Sequence, residues 1–349
     1  MNKGLYLHIP FCYEKCPFCD YYSISHAPEE WLDKFTAVIV SQLEDVPTEL
    51  DTLYVGGGTP LALGKSRWEK ILPDLPKARE RTIELNPEDV KKENFPLLEK
   101  FTRLSVGVQS FSESVLRTLQ REKLDYGKLL DLLGKWDVNV DLMVGIPGQT
   151  REEVLRDLVS LVALGVPHIS VYPLEVHKGT PFWSRYSDWE WDDADLLLMV
   201  EKFLTEHGYE HYEISNYARP GHQCLHNKIY WHDEEYYALG PSASGYVNGV
   251  RYKWVSNLRL YVEGAKFGEP NYEEYMVLSW EEQLSEYAIM NLRLLNEGIR
   301  RTEVEKRFGE SAWNLLLKQA EGNDFLNIEL DKITVKNWLF FNRAAEAFV

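Results

Sequence analysis

The chain has 349 residues, 44% of them hydrophobic and 27% charged, the balance of a soluble globular protein with one large domain and an appendage. Its formal charge of −17, from 38 basic and 55 acidic side chains, repels phosphate backbones and argues against nucleic-acid binding. No apolar run approaches the roughly 20 residues needed to cross a bilayer. Met1-Asn2-Lys3 runs directly into a strand pattern with no leader, so a cytoplasmic location is expected.

Short apolar runs occur at Leu5–Ile9, Thr52–Val55, Arg81–Leu85, Arg103–Val108, Val138–Gly145 and His168–Tyr172. Amphipathic stretches separate them: Pro28–Asp45, Lys65–Leu75, Pro87–Lys100, Glu113–Leu119 with Tyr126–Trp136, and Arg151–Leu164. Such alternation predicts an α/β fold with a parallel sheet under a layer of helices, a partial (β/α)6 barrel. Functional groups in that architecture sit at the carboxyl ends of the strands. A further barrel-associated stretch runs from Trp191 to His207 and into Tyr212–Tyr217. Beyond it, helices at Leu284–Leu295 and Arg301–Phe308, a hairpin at Phe325–Ile328 and Lys332–Val335, and a last helix at Lys336–Phe348 predict a winged-helix-like α+β module. The domains expected are therefore 1–270 and 271–349, with the boundary between Gly264 and Ser279.

Three of the four cysteines, Cys12, Cys16 and Cys19, form C-x₃-C-x₂-C just after the first strand. Clustered thiols in an unexported chain read as metal ligands, since a disulfide framework would spread them. Three thiolates can hold three irons of a [4Fe–4S] cubane and leave the fourth iron open. The open iron suits chelation by the amino and carboxylate groups of S-adenosylmethionine (SAM), and Phe18 offers an aromatic face to the adenine. The alternative is a Cys₃His zinc site using His8. Structural zinc usually draws on two separated knuckles, and no second cysteine pair exists here.

Gly56-Gly57-Gly58-Thr59-Pro60 ends the second apolar run, where glycines expose backbone amides to a ligand. One strand after the cysteine loop, it resembles the glycine motif that receives SAM's amino group in the radical SAM superfamily. Glu84 closes the third run and could accept bonds from a ribose or an ammonium. Gln109 closes the fourth. Asp141 lies inside the fifth, where an unpaired carboxylate would be costly to bury; Arg121 and a ligand hydroxyl are its candidate partners.

Together these residues resemble the HemN/HemW branch of radical SAM proteins, over nearly the whole chain. Its marks are Leu5–Cys12, the glycine motif, Ser105–Phe111, Asp141–Thr150, Glu213–Tyr217 and His226-Asn227-Lys228-Ile229-Tyr230-Trp231. The resemblance implies SAM contacts at Tyr6, Phe18, Gly57, Gly58, Thr59, Glu84, Gln109, Arg121 and Asp141. Within the branch, coproporphyrinogen III oxidases carry a fourth cysteine two residues after the third and a long N-terminal extension. Tyr21 occupies that cysteine position, which argues against the oxidase. The H-N-x-x-Y-W motif implies haem binding, with His226 as the ligand and Cys224 and His222 as rivals.

The reading is a haem chaperone holding a [4Fe–4S] cluster, SAM and haem. It would deliver haem to acceptor proteins, respiratory enzymes among them, and draw on an electron donor for the cluster. A homodimer and transient contact with a membrane are compatible with it. The alternatives are a SAM-dependent porphyrinogen oxidase, or another radical reaction on a tetrapyrrole, and a regulatory scaffold that transfers no haem.

Overall fold

The computed structural model describes residues 3–189, 193–266 and 271–349. Six strands follow the expected order: β1 (Lys3–Ile9), β2 (Thr52–Gly57), β3 (Glu80–Leu85), β4 (Arg103–Gln109), β5 (Asp137–Val144) and β6 (His168–Pro173). Each pairs in parallel with the next. Beyond β6, β8 (Asn216–Ala218) and β7 (Glu210–Glu213) continue the sheet antiparallel. On the other side β9 (Glu235–Leu239) pairs in parallel with β1, adding a seventh parallel strand. An antiparallel run of β10 (Ser244–Val247), β11 (Val250–Trp254) and β12 (Tyr272–Val277) extends from it. The order is β12-β11-β10-β9-β1-β2-β3-β4-β5-β6-β8-β7, an unclosed barrel.

Side chains alternate along the strands, and both faces are covered. The outward set is apolar: Leu5, Leu7, Leu53, Val55, Ile83, Leu104, Val106, Val138, Val140 and Ile169 are all fully buried against the helices. Each such burial stabilises by roughly 1.5–3 kcal/mol. The inward set is polar or small, as at Tyr54, Glu84, Arg103, Ser105, Gly107, Asn139, Asp141 and Ser170, all of which line one cavity. A closed eight-stranded barrel normally fills this space with branched aliphatic side chains. Here it remains a polar lumen.

Two expected helices are broken. At Pro87–Lys100, Asn86 and Asp89 form a capping box that closes a 3₁₀ turn at Pro87–Asp89. A second turn at Lys92–Asn94 and a short helix at Phe95–Leu98, with Pro96 near its start, follow. The last stretch divides likewise into Trp338–Phe340, Phe341–Ala345 and Glu346–Phe348, with Asn337 capping the first turn. The barrel-associated stretch expected from Trp191 to His207 holds a helix from Ala194 to Glu206, capped by Asp193, and Trp191 itself lies outside the described residues.

A second core gathers Leu284, Tyr287, Val304, Trp313 and Leu316 from the helices Trp280–Asn291, Arg301–Phe308 and Glu310–Ala320, with Phe348 from the last turn, beside a three-stranded sheet. The main sheet runs on through β12 to Val277, past residue 270, because β11 pairs with that strand along its length. No helix among the described residues is long and apolar enough to cross a membrane.

The two cores are joined through Asp233, whose side chain is fully buried. Its carboxylate accepts hydrogen bonds from Arg307 at 2.7 Å and Arg251 at 3.2 Å, while Arg307 also donates to its backbone carbonyl at 2.7 Å. Removing one member of a buried ion pair leaves the others uncompensated, so Asp233→Ala is expected to cost about 3 kcal/mol. Chemical denaturation checks this; a loss typical of a surface substitution would contradict it.

Candidate functional site at the barrel mouth

The three thiols sit on the loop after β1, at the carboxyl end of the parallel strands. A two-residue parallel pairing, Phe11 with Ile24 and Cys12 with Ser25, closes the loop's base. Inside it, the Cys19 amide donates to the Cys16 carbonyl at 3.1 Å. Phe18 packs edge-on against buried Phe182 with ring centroids 6.0 Å apart, and the Phe182 amide donates to the Pro17 carbonyl at 2.9 Å. Phe18 therefore anchors the loop to the barrel wall as well as lining the cavity.

The glycine segment touches the cysteine loop directly. The Gly58 amide donates to Ile9 at 2.8 Å and the Thr59 amide to Phe11 at 2.6 Å. A Cβ on Gly58 would lie 2.5 Å from the Phe11 carbonyl oxygen and 2.8 Å from the Cys12 Sγ, so only glycine permits this approach. Thr59 accepts from Asn86 at 2.7 Å. Asn86 in turn accepts from Arg121 at 2.7 Å, and the same guanidinium donates to the Gly107 carbonyl at 2.7 Å and lies 3.2 Å from the Cys16 Sγ. Arg121 is thus a brace for the thiol loop. It makes no bond to Asp141, which Asn139 and Ser105 hold instead.

Asp141 is held by the lumen itself. Asn139 donates to it at 2.7 Å and Ser105 at 3.4 Å. Asn139 also accepts from Ser170 at 3.0 Å and bonds His168 at 2.6 Å. Glu84 accepts from the Tyr54 hydroxyl at 2.9 Å and the Gly57 amide at 3.0 Å. Burial pushes Glu84 up to about 7, against the opposing Tyr54 hydrogen bond and with help from the nearby Asp141 charge. Asp141 is raised as well, again by burial first. Gln109 stands at a left-handed position, φ 66°, at the end of β4, with its side chain on the cavity.

The donor set fits a cluster better than a single ion. The three cysteines are free, partly accessible and on the cavity wall. Among the described residues no three His, Cys, Asp or Glu side chains converge tightly enough to share one metal ion. In a cubane each thiolate binds its own iron, so its thiols stand wider apart. His8 is committed elsewhere: its ring bonds the Tyr22 carbonyl at 2.8 Å and the Tyr6 hydroxyl at 2.9 Å, and burial lowers it to about 4.

The H-N-x-x-Y-W segment forms the helix Leu225–Trp231, which plugs the opposite end of the lumen. Both Glu80 oxygens accept from its first amides, Leu225 at 2.8 Å and His226 at 2.9 Å. His226 is completely buried. Its Nδ1 is bonded to Thr52 at 2.7 Å and its Nε2 to Tyr230 at 2.8 Å, and the ring stacks on Tyr54 at 5.2 Å. Burial, reinforced by Arg103, drives its pKa down to about 3. The imidazole is neutral, with no nitrogen free. Cys224 is equally buried, its thiol pushed up to about 12 by desolvation, and His222 pairs with Asp137 at 2.9 Å near the surface.

Comparison with known proteins decides the family. Residues 6–160 match the model of the radical SAM superfamily. The chain is 31% identical to the "Heme chaperone HemW" of Lactococcus lactis across 99% of its own length and 97% of the relative's. It is 38% identical to the "Heme chaperone HemW" of Escherichia coli across 70% of each. The chain belongs to the HemW family of radical SAM proteins. The coproporphyrinogen III oxidase HemN of Escherichia coli has the same fold, with a TM-score of 0.82 over 99% of this chain and 90% of that one at 22% identity.

For this HemW-family member, reading the apolar runs as continuous concealed half of the site. Tyr54, Ser105, Asn139 and Ser170 sit at alternate positions within those runs, Thr52 and Arg103 open two of them, and Glu80 precedes a third. A polar residue at every second position of a strand covered by helices was the available signal.

Glu84 supplies a pH test. Its folded value of about 7 lies above its ordinary 4.5, so the stability it contributes is present below that ordinary value and is lost as pH rises through about 7. Glu84→Gln should therefore flatten the decline in denaturation midpoint between about pH 5 and pH 8. An unchanged pH profile in the variant would contradict the assignment.

Proposed function

We propose that this protein is a haem chaperone: it holds a [4Fe–4S] cluster on Cys12, Cys16 and Cys19, binds SAM across the barrel mouth, and passes haem to acceptor haem proteins of the cytoplasm or the membrane surface. The full-length likeness to the HemW relatives, which takes in the Leu225–Trp231 helix, carries the reading. A cluster held there would pass an electron, received from an external reductant, to bound SAM and so supply reductive cleavage of the sulfonium.

The chain's own residues have separate tasks. Gly57, Gly58 and Thr59 present backbone to the amino-acid end of SAM, and Phe18 offers its ring to the adenine. Glu84, Gln109 and Asp141 face the lumen as acceptors for ribose hydroxyls and the ammonium. Arg121 fixes Asn86 and Cys16 relative to one another, and Tyr6 orients His8 beneath the site. We place the division between the two structural units just after β12, with the C-terminal unit as a docking surface for acceptors.

Haem ligation by His226 requires this helix to open, because both ring nitrogens are engaged. Loss of the buried ring is also costly to the fold, and His226→Ala is expected to destabilise by roughly 2–4 kcal/mol. Tyr230→Phe is the gentler variant, since it releases Nε2 while keeping the packing. It should accelerate haemin association severalfold and leave the cluster absorbance unchanged, as followed by stopped-flow Soret spectroscopy. Association and spectrum identical to the unaltered protein would remove His226 as the ligand.

The overall reading is tested by anaerobic cluster reconstitution followed by parallel addition of haemin and of coproporphyrinogen III with SAM and reductant. Stoichiometric haem binding without decarboxylation is the expected result. Formation of protoporphyrinogen IX would replace the chaperone with an oxidase.

A further inference from the structure

Arg103 opens β4 and points into the lumen, on the wall of the same cavity of about 750 Å³ that reaches the thiols. It is only 3% exposed. Among the described residues it makes no hydrogen bond or ion pair, and its Nε is buried without a partner. A guanidinium remains charged at every relevant pH, and an unpaired charge away from water is expensive. Most proteins neutralise such a group with a carboxylate.

The carboxylates around Arg103 are already committed. Both oxygens of Glu80 are taken by the Leu225 and His226 amides. Asp141 is satisfied by Asn139 and Ser105. Cys224, also close by, is a neutral thiol. Across the cavity Arg293 is already matched: it donates to the buried carboxylate of Glu213 at 3.5 Å and lies over the ring of Trp231 at 4.1 Å. The Arg103 guanidinium therefore stands in the lumen without a hydrogen-bonded anion, beside the helix that carries His226.

We propose that Arg103 is the receptor for a carboxylate of the ligand carried in this lumen, and specifically for a haem propionate. The proposal rests on the haem-chaperone reading and adds to it the group that recognises the tetrapyrrole's acidic edge. A guanidinium forms paired hydrogen bonds with a carboxylate, and burial strengthens them. SAM offers the same chemistry through its own carboxylate. Haem is favoured because Arg103 begins its strand at the end of the lumen plugged by His226, whereas the thiols and Gln109 stand at the other end. In the empty protein the Arg103 guanidinium feels the nearby Glu80 charge but has no hydrogen-bonded anion, and loading supplies one.

The test compares haemin with its dimethyl ester, which lacks both carboxylates, in the cluster-reconstituted protein. The unaltered protein should bind haemin at least tenfold more tightly than the ester. Arg103→Met should lose that preference, bind the ester unchanged, leave the SAM-induced change in the cluster EPR spectrum intact, and melt no lower than the unaltered protein when empty. Arg103→Lys should restore part of the preference. Haemin affinity unchanged in Arg103→Met would overturn the proposal, as would a lower melting temperature of the empty variant, which would make Arg103 a structural strut. A loss of SAM response with haemin binding retained would assign the carboxylate to SAM and overturn it equally. Failure of the unaltered protein to bind haemin at all would instead remove the chaperone reading, and the first titration separates that result from the others.

Discussion

The structure depends on one constraint: six neighbouring parallel strands divide their side chains into an apolar outer face and a polar inner one. The outer face supplies the stability, because Leu7, Val55, Leu104 and their neighbours are sealed beneath helices. Freed from that task, the inner face can carry Glu84, Asp141, Ser105 and Asn139. Each buried polar group then needs a partner, and the hydrogen bonds from Asn139 to Asp141 and from Tyr54 to Glu84 meet that demand. A lumen so arranged is rigid before any ligand arrives.

The same constraint links the two ends of the barrel. Tyr54 donates to Glu84 towards the mouth and stacks on His226 towards the floor. The Leu225–Trp231 helix is held on one side by Glu80 and Thr52, and on the other by Lys228 bonded to Glu297 at 2.7 Å and by Arg293 over Trp231. The helix Leu225–Trp231 is thus shut between the barrel and the C-terminal unit. Under the proposed function, loading and release of haem would work against these contacts.

Much of this was legible in the sequence. The six strands were found within a residue or two of their ends, and the thiol loop and Gly56–Gly58 stood out because their chemistry is local and their spacing short. What stayed hidden depends on distant pairing. Arg121 and a ligand hydroxyl were the candidate partners of Asp141 because a buried acid needs one, yet Arg121 bonds Asn86 and Gly107, brought near by neighbouring strands. His226 was named as the implied haem ligand with no sign of its burial, because nothing in H-N-x-x-Y-W reveals that Thr52, 174 residues away, bonds its Nδ1. The strands at Glu235–Leu239 and Tyr272–Val277 were missed because neither alternates between buried and exposed: the first is buried only at Ala238 and Leu239, and the second nowhere.

The central claim is that the protein gives haem up to an acceptor as well as binding it. It is tested most directly by mixing haem-loaded protein with an excess of an apo b-type cytochrome and following the acceptor's Soret band over time. The account predicts transfer that is complete and faster than simple dissociation into a haem-scavenging apoprotein that does not dock. Haem that stays bound, or leaves for both acceptors at one common rate, would contradict it.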